Sequence, residues 1–216
     1  MKKGMVSVGI LGSLLLAGCT TNTKDTTSNN SETKASVTEI TAEKESSERD
    51  AIEMSFKDGT LEGLNYKLTI DKTQLAHDNF SGEDGLIIWY TLENNTETNL
   101  VPRDNFSMFS IKQQDETSEY DLSDSIGTFS VGEALYPMYD ENGNPLEDTE
   151  AYNAAIDEQN KFHDDYEVKS DAELLPGKSV QTVTSVVLNN TEGQVKIKLP
   201  DDFPTSENQE LVVNLK

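Results

Sequence analysis

Beyond residue 60, hydrophobic and polar residues alternate mostly with a period of two, the period of a pleated strand. Leu64-Asn65-Tyr66-Lys67-Leu68-Thr69-Ile70 shows it first. Gly85 to Leu92 follows: Ile88, Tyr90 and Leu92 share one face, Ile87 and Trp89 the other. A run apolar on both faces predicts a central strand covered on both sides. Asn94-Asn95 supplies a turn, Phe106 to Ile111 reads as the next strand, and Glu119 to Leu122 as its hairpin partner. Pro176-Gly177 turns the chain into a strand from Ser179 to Leu188. Asn189-Asn190 turns it again, Val195 to Leu199 alternates, Pro200 to Pro204 breaks the pattern, and Leu211 to Leu215 closes it. About seven short strands with turns between them predict an all-β, Ig-like antiparallel sandwich rather than βαβ units.

Between the strand groups, the period changes. Asp124 to Lys169 is a 46-residue insertion that opens with the Gly-containing segment Ile126 to Leu135. It continues through Tyr136-Pro137-Met138-Tyr139 and the turn Asp140 to Pro145. From Asp148 or Thr149 to Tyr166 the spacing is helical: Tyr152, Ala155, Ile156, Gln159, Phe162 and Tyr166 fall on one side. Asp148 or Thr149 can cap its start, with Glu150 in the first turn. The expectation is one inserted α-helix laid across an end or a face of the sandwich.

The N-terminus has a different character. Lys2 and Lys3 precede an apolar run from Met5 to Leu16, which ends in Leu16-Ala17-Gly18-Cys19. The run is too short to span a bilayer, and its order is that of a secretory signal. Its ending resembles a bacterial lipobox, with Cys19, the only cysteine, as the first residue of the mature chain. A diacylglyceryl group on Cys19 would anchor the chain to the cell membrane, because two acyl chains hold where one does not. The protein would then face the extracellular, cell-wall side. Residues 20–50 are rich in Thr, Ser, Asn, Glu and Lys, lack aromatic residues and cannot bury a core. They read as a tether reaching roughly 30 Å on average. The domain reading is therefore a signal over 1–18, a lipidated and disordered tether over 19–50, and a sandwich over 51–216 with the acidic helical insertion 124–169.

Charge narrows the partners. The chain carries 17 Lys and Arg against 40 Asp and Glu, a net −23; losing Lys2 and Lys3 with the signal leaves −25. Such a charge repels nucleic acid and anionic headgroups, so nucleic-acid binding is excluded as a main role. With Cys19 acylated, no disulfide can form, and the core alone must hold a domain of this size. The insertion holds 12 acidic residues against two lysines, −10 in 46 residues.

Candidate chemistry is sparse. Asp140-x-Asn142-x-Asn144, with Asp148 beyond, has the opening spacing of a Ca²⁺ loop. Its Gly sits at the fourth position rather than the sixth, Pro145 takes the sixth, and the twelfth is not Glu, so the reading as a polar turn is favoured. The only histidines, His77 and His163, are far apart in sequence, and no Gly-x-Ser-x-Gly elbow occurs. The expectation is a protein that is not an enzyme and needs no cofactor. A candidate partner surface combines Tyr136 and Tyr139 with Asp140, Asp148, Asp164 and Asp165. The competing expectation is that the tyrosines pack the insertion on the sandwich and the acids form a solvated face. The best overall reading is a monomeric, membrane-anchored binding module for an unknown protein or envelope partner. The alternatives are an envelope-protective protein without a ligand and a Ca²⁺-dependent module.

Two stretches carry a family resemblance: Ile87-Ile88-Trp89-Tyr90-Thr91-Leu92-Glu93-Asn94-Asn95, and Leu175-Pro176-Gly177-Lys178-Ser179 running into the Val-rich strand that ends at Leu188. Together they resemble Gram-positive lipoproteins that carry the domain of unknown function 5067, of the immunoprotective extracellular, Ig-like type. The resemblance extends from Leu64 to Leu215. It implies fold and location, and offers no catalytic residues to carry over.

Overall fold

The computed structural model describes residues 54–63 and 65–215. The signal, Cys19 and the tether lie outside the described residues. All described residues fall in one compact unit, Glu48–Lys216.

The first hairpin is β1 (Ser55–Lys57) and β2 (Thr60–Gly63). It turns on Asp58-Gly59, both with positive φ (48° and 74°), as a two-residue hairpin requires. Then come β3 (Tyr66–Asp78) and β4 (Glu83–Asn94), a long antiparallel pair. Asp78 closes its loop: the buried carboxylate accepts from Phe80 N (2.8 Å) and Ser81 Oγ (2.8 Å). After α1 (Pro102–Phe106) the chain forms β5 (Ser110–Gln114) and β6 (Glu119–Asp121). The insertion contributes α2 (Val131–Leu135), α3 (Thr149–Phe162), a π turn (His163–Glu167) and α4 (Val168–Asp171). The chain returns through β7 (Ser179–Val187), β8 (Gln194–Lys198), β9 (Glu207–Asn208) and β10 (Leu211–Asn214).

Two sheets result. The larger has the order β7-β4-β3-β2-β1-β9 and the smaller β10-β8-β5-β6. Every pairing is antiparallel except β1 with β9. The all-β sandwich with an inserted helix is the architecture observed, with ten strands among the described residues rather than seven. β1, β2 and β9 are the additions; at two to four residues each, they are too short to show a period. The main core lies between the sheets and includes Phe56, Leu68, Ile88, Tyr90, Leu92, Phe106, Phe109, Ile111 and Ile197.

Two expectations change. Phe106 to Ile111 is not a single strand: α1 ends at Phe106, and β5 begins at Ser110. Pro102 at the first helical position pre-sets φ for a helix. Phe106 and Phe109, three apart, then both reach the core, with ring centroids 5.2 Å apart. The helical run also continues beyond Tyr166 to Asp171. The π turn shifts the register so that Phe162 and Ser170 are both buried against the sandwich. No helix among the described residues is long and apolar enough to cross a membrane.

Candidate functional site

The outer face of the larger sheet carries a second, smaller core. Ile87 and Trp89 of β4 and Val183 of β7 form its floor; Phe129, Val131 and Phe162 of the insertion form its roof. β4 is thus apolar on both faces because both faces are covered. The insertion also closes the edge of the sheet at β7, where unpaired backbone groups would otherwise be exposed. Gly127 N donates to Ser185 O (2.7 Å), Ser185 Oγ to Phe129 O (3.0 Å), and Thr182 Oγ1 to Tyr166 O (2.7 Å). Buried Glu133 ties the layer together, accepting from Met138 N (2.8 Å) and Gln159 Nε2 (2.9 Å).

Tyr136 belongs to this layer. Its ring lies 6.1 Å from that of Phe162, and its carbonyl accepts from Gln159 Nε2 (2.7 Å). Of the two tyrosines proposed for a partner surface, Tyr136 packs the insertion, because the apolar face of α3 needs a floor. Tyr139 stands at the rim. Its ring is 4.8 Å from Phe80, at the tip of the β3–β4 hairpin, and Asn79 Nδ2 donates to Tyr139 O (2.9 Å). Phe80 is 66% exposed, the most exposed of the large hydrophobic side chains among the described residues. The pair forms an aromatic knuckle that the sequence hid: Phe80 and Tyr139 are distant in the chain, and neither sits in a periodic run.

The acidic candidates act locally. Asp140 closes its own turn, with Oδ1 accepting from Asn142 N and Asn144 N (2.9 Å each); these bonds, that of Asn144 first, hold its carboxyl below the usual range. Asp148 caps α3, accepting from Glu150 N (2.9 Å) and Ala151 N (3.2 Å). In the proposed cation quartet, Asp140 and Asp148 are therefore each turned onto backbone donors, and Asn142 and Asn144 present N–H groups to Asp140. No group of three or more His, Cys, Asp or Glu among the described residues could hold a metal ion. Asp165 pairs with Lys161 (2.7 Å), whose hydrogen bond lowers the Asp165 pKa, while Asp164 faces solvent on the π turn.

The two histidines stand apart, each with Nδ1 within hydrogen-bond distance of one carboxylate, His77 of Asp84 and His163 of Glu167 (2.9 Å each). The hydrogen bond to Glu167 is the main cause holding His163 above the ordinary imidazole value, with the charges of Glu167 and Asp164 adding to it. A raised folded pKa means that this pair favours the fold below the unfolded imidazole value of about 6.5, and that the contribution fades as pH rises through the folded value. In an NMR titration, His163 should show a higher midpoint in the native chain than in Glu167→Gln; equal midpoints would refute the pairing.

A cleft of about 230 Å³ opens where the insertion meets β7 and α1. Arg103, Gly127, Phe129, Val131, Glu167, Ser170, Asp171, Val183, Thr184 and Ser185 line it. Arg103 Nη1 bonds Asp171 Oδ1 at 2.9 Å. Behind them lies Tyr90, fully buried, whose hydroxyl has no hydrogen-bond partner among the described residues. Burial drives its phenol far above the usual range; the Ser170 hydroxyl approaches closely enough to offset part of that rise, short of hydrogen-bond geometry. Local pattern gives no sign of this cleft, because its walls come from four separated segments.

No curated protein matches the chain. Among solved structures, it is similar to a candidate lipoprotein from Staphylococcus aureus subsp. aureus NCTC 8325, at 13% identity over 74% of this chain and 92% of that one, with a TM-score of 0.49. It is also similar to a protein from Enterococcus faecalis, at 14% identity over 75% and 94%, with a TM-score of 0.44. The family described as the domain of unknown function DUF5067 matches residues 39–201, well over half of the sequence, and the chain belongs to that family.

Proposed function

We propose that this protein is a lipid-anchored, extracytoplasmic interaction module without enzymatic activity, held to the membrane through diacylglyceryl on Cys19. The observation that carries the reading is the Phe80–Tyr139 knuckle, an exposed phenylalanine stacked on a half-buried tyrosine whose carbonyl accepts from Asn79 Nδ2. An exposed aromatic ring on a rigid scaffold is a common anchor at interfaces. The surrounding insertion is strongly acidic, which favours a partner with a basic surface.

The test is a crosslinked pull-down from intact cells with the full-length lipoprotein and with the double variant Phe80→Ser, Tyr139→Ser. A partner recovered by the first and lost by the second, with equal melting temperatures, is the expected result. Equal recovery by both would remove the knuckle from the proposal. In the same preparation, Cys19→Ala should leave the membrane fraction; if it stays, the anchor is not on Cys19.

A further inference from the structure

We infer that the β10 edge of the smaller sheet is an interaction surface for a second copy of this chain, against the expectation of a monomer, and that the two copies pair antiparallel about Val213. The inference is independent of the knuckle. β10 ends its sheet and pairs with β8 alone among the described residues. Leu211 stands opposite Ile197, Val212 opposite Lys196, Val213 opposite Val195 and Asn214 opposite Gln194. One step further on, Leu215 N donates to Gly193 O at 3.1 Å. In an antiparallel ladder, alternate residues of a strand bond the same neighbour. Leu211, Val213 and Leu215 therefore bond β8, while Val212 and Asn214 direct their N–H and C=O groups away from the sheet.

The other sheet edges are guarded, and this one is not. The insertion covers β7, where Gly127 N donates to Ser185 O. β6 is three residues long and carries the acids Glu119 and Asp121. β9 is two residues long, and its Asn208 side chain bonds Leu199 N and O. β10 reads Leu-Val-Val-Asn, with no charge, proline or bulge to deter a further strand. Val212 is 42% exposed beside that edge.

The edge is complementary to itself. A two-fold axis between the Val213 residues of two copies sets Val212 of each opposite Asn214 of the other, so every outward N–H of the strand meets an outward carbonyl. An axis at Val212 would instead set Asn214 opposite Glu210, outside the strand. Charge points to the same place. At net −23, two copies repel over most of their surfaces, and an uncharged strand is where they can approach. An edge of four residues buries less than the ~1,200 Å² of a stable complex, so the pair is weak and is best read by covalent trapping.

The experiment expresses full-length Val213→Cys in intact cells and oxidises it with copper phenanthroline. In the proposed pairing, the Val213 residues form a non-hydrogen-bonded pair with Cα atoms about 4.5 Å apart, within reach of a disulfide. Val212→Cys, at the exposed position, is joined in parallel with a short bismaleimide. Expected from both is a covalent dimer of this chain, about tenfold or more above the native chain and above Glu158→Cys, an exposed position on α3. Adding Asn214→Pro removes an outward N–H without removing a bond to β8, and should lower trapping by about tenfold or more. Thermal melts establish that the proline variant is folded; should it fail to fold, Val212→Pro in the Val213→Cys chain carries the test. Dimer yields equal to those of Glu158→Cys, trapping that both proline variants leave unchanged, or a cross-link to a different protein would each overturn the proposal. Trapping through position 212 but not 213 would overturn the axis at Val213.

Discussion

Gly85→Ala is expected to destabilise the domain by about 2 kcal/mol, an overpacking effect, although alanine is ordinarily the better residue in a strand. Gly85 sits in β4 between Ala76 and Val187, and the ring of Phe129 lies directly on it. A Cβ there would stand 2.6 Å from Phe129 Cδ1, closer than real Cβ atoms come. The ring cannot retreat easily: Phe129 is buried, and its carbonyl accepts from Ser185 Oγ. Relief therefore requires the insertion to lift from the sheet. The gain from a stiffer unfolded chain, about 0.4–1 kcal/mol, is smaller than the overlap. Urea unfolding of Gly85→Ala, Phe129→Ala and the double variant measures the effect. Removing the ring makes room for the methyl group, so the double variant should be more stable than the sum of the two losses predicts. Strict additivity, or a Gly85→Ala midpoint equal to that of the native chain, would show that the contact does not constrain the layer.

Asn94→Ala should cost about 3 kcal/mol. Asn94 is fully buried at the end of β4, and its side chain makes four hydrogen bonds. Nδ2 donates to Thr98 O and Leu174 O at 2.8 Å each, while Oδ1 accepts from Thr96 N (2.9 Å) and Thr96 Oγ1 (2.7 Å). Alanine would leave two carbonyls and an amide without these partners, each at about 1 kcal/mol or more. The bond to Leu174 matters most for architecture. It joins the end of β4 to the segment that returns from the insertion, beside the Leu100–Leu174 bridge. Hydrogen exchange at Leu100 and Leu174 should accelerate in Asn94→Ala along with the loss of global stability. The near-isosteric Asn94→Asp keeps the acceptor and loses both donors, so it should be almost as damaging. A loss below 1 kcal/mol in both variants would mean that the return segment is held by its backbone bridge alone.

Both positions show how far a local reading reaches. Asn94 was legible as a turn residue, since Asn next to Asn after an apolar strand signals a chain reversal. Its tie to Leu174, 80 residues away, was not. Gly85 looked like the start of a strand, and only the ring above it explains why a glycine is needed. Among the candidate surface residues, Asp148 was read, alongside Thr149, as able to cap α3, and Asp148 is the cap, because capping depends on the next three residues. Tyr136 and Tyr139 were treated as one cluster; they separate because a turn aims one ring at α3 and the other at Phe80.

Local order along the chain expresses only what neighbouring residues can encode. The alternation in β3, β4, β7, β8 and β10, the facing of Ile87 and Trp89 against Ile88 and Tyr90, and the apolar side of α3 all follow from fixed pleat and helix periods acting on neighbouring residues. The ionic character of the domain is equally independent of how it folds. Tertiary structure alone decided the rest. The conversion of Phe106 to a helix end and the pairing of the very short β1, β2 and β9 depend on partners remote in the chain. The knuckle brings together Phe80 and Tyr139, and the cleft gathers residues from near 103, 127, 170 and 184. The physical reason is the same throughout: a period records which side of a strand or helix is buried, while contacts between distant segments are selected only by packing the whole core.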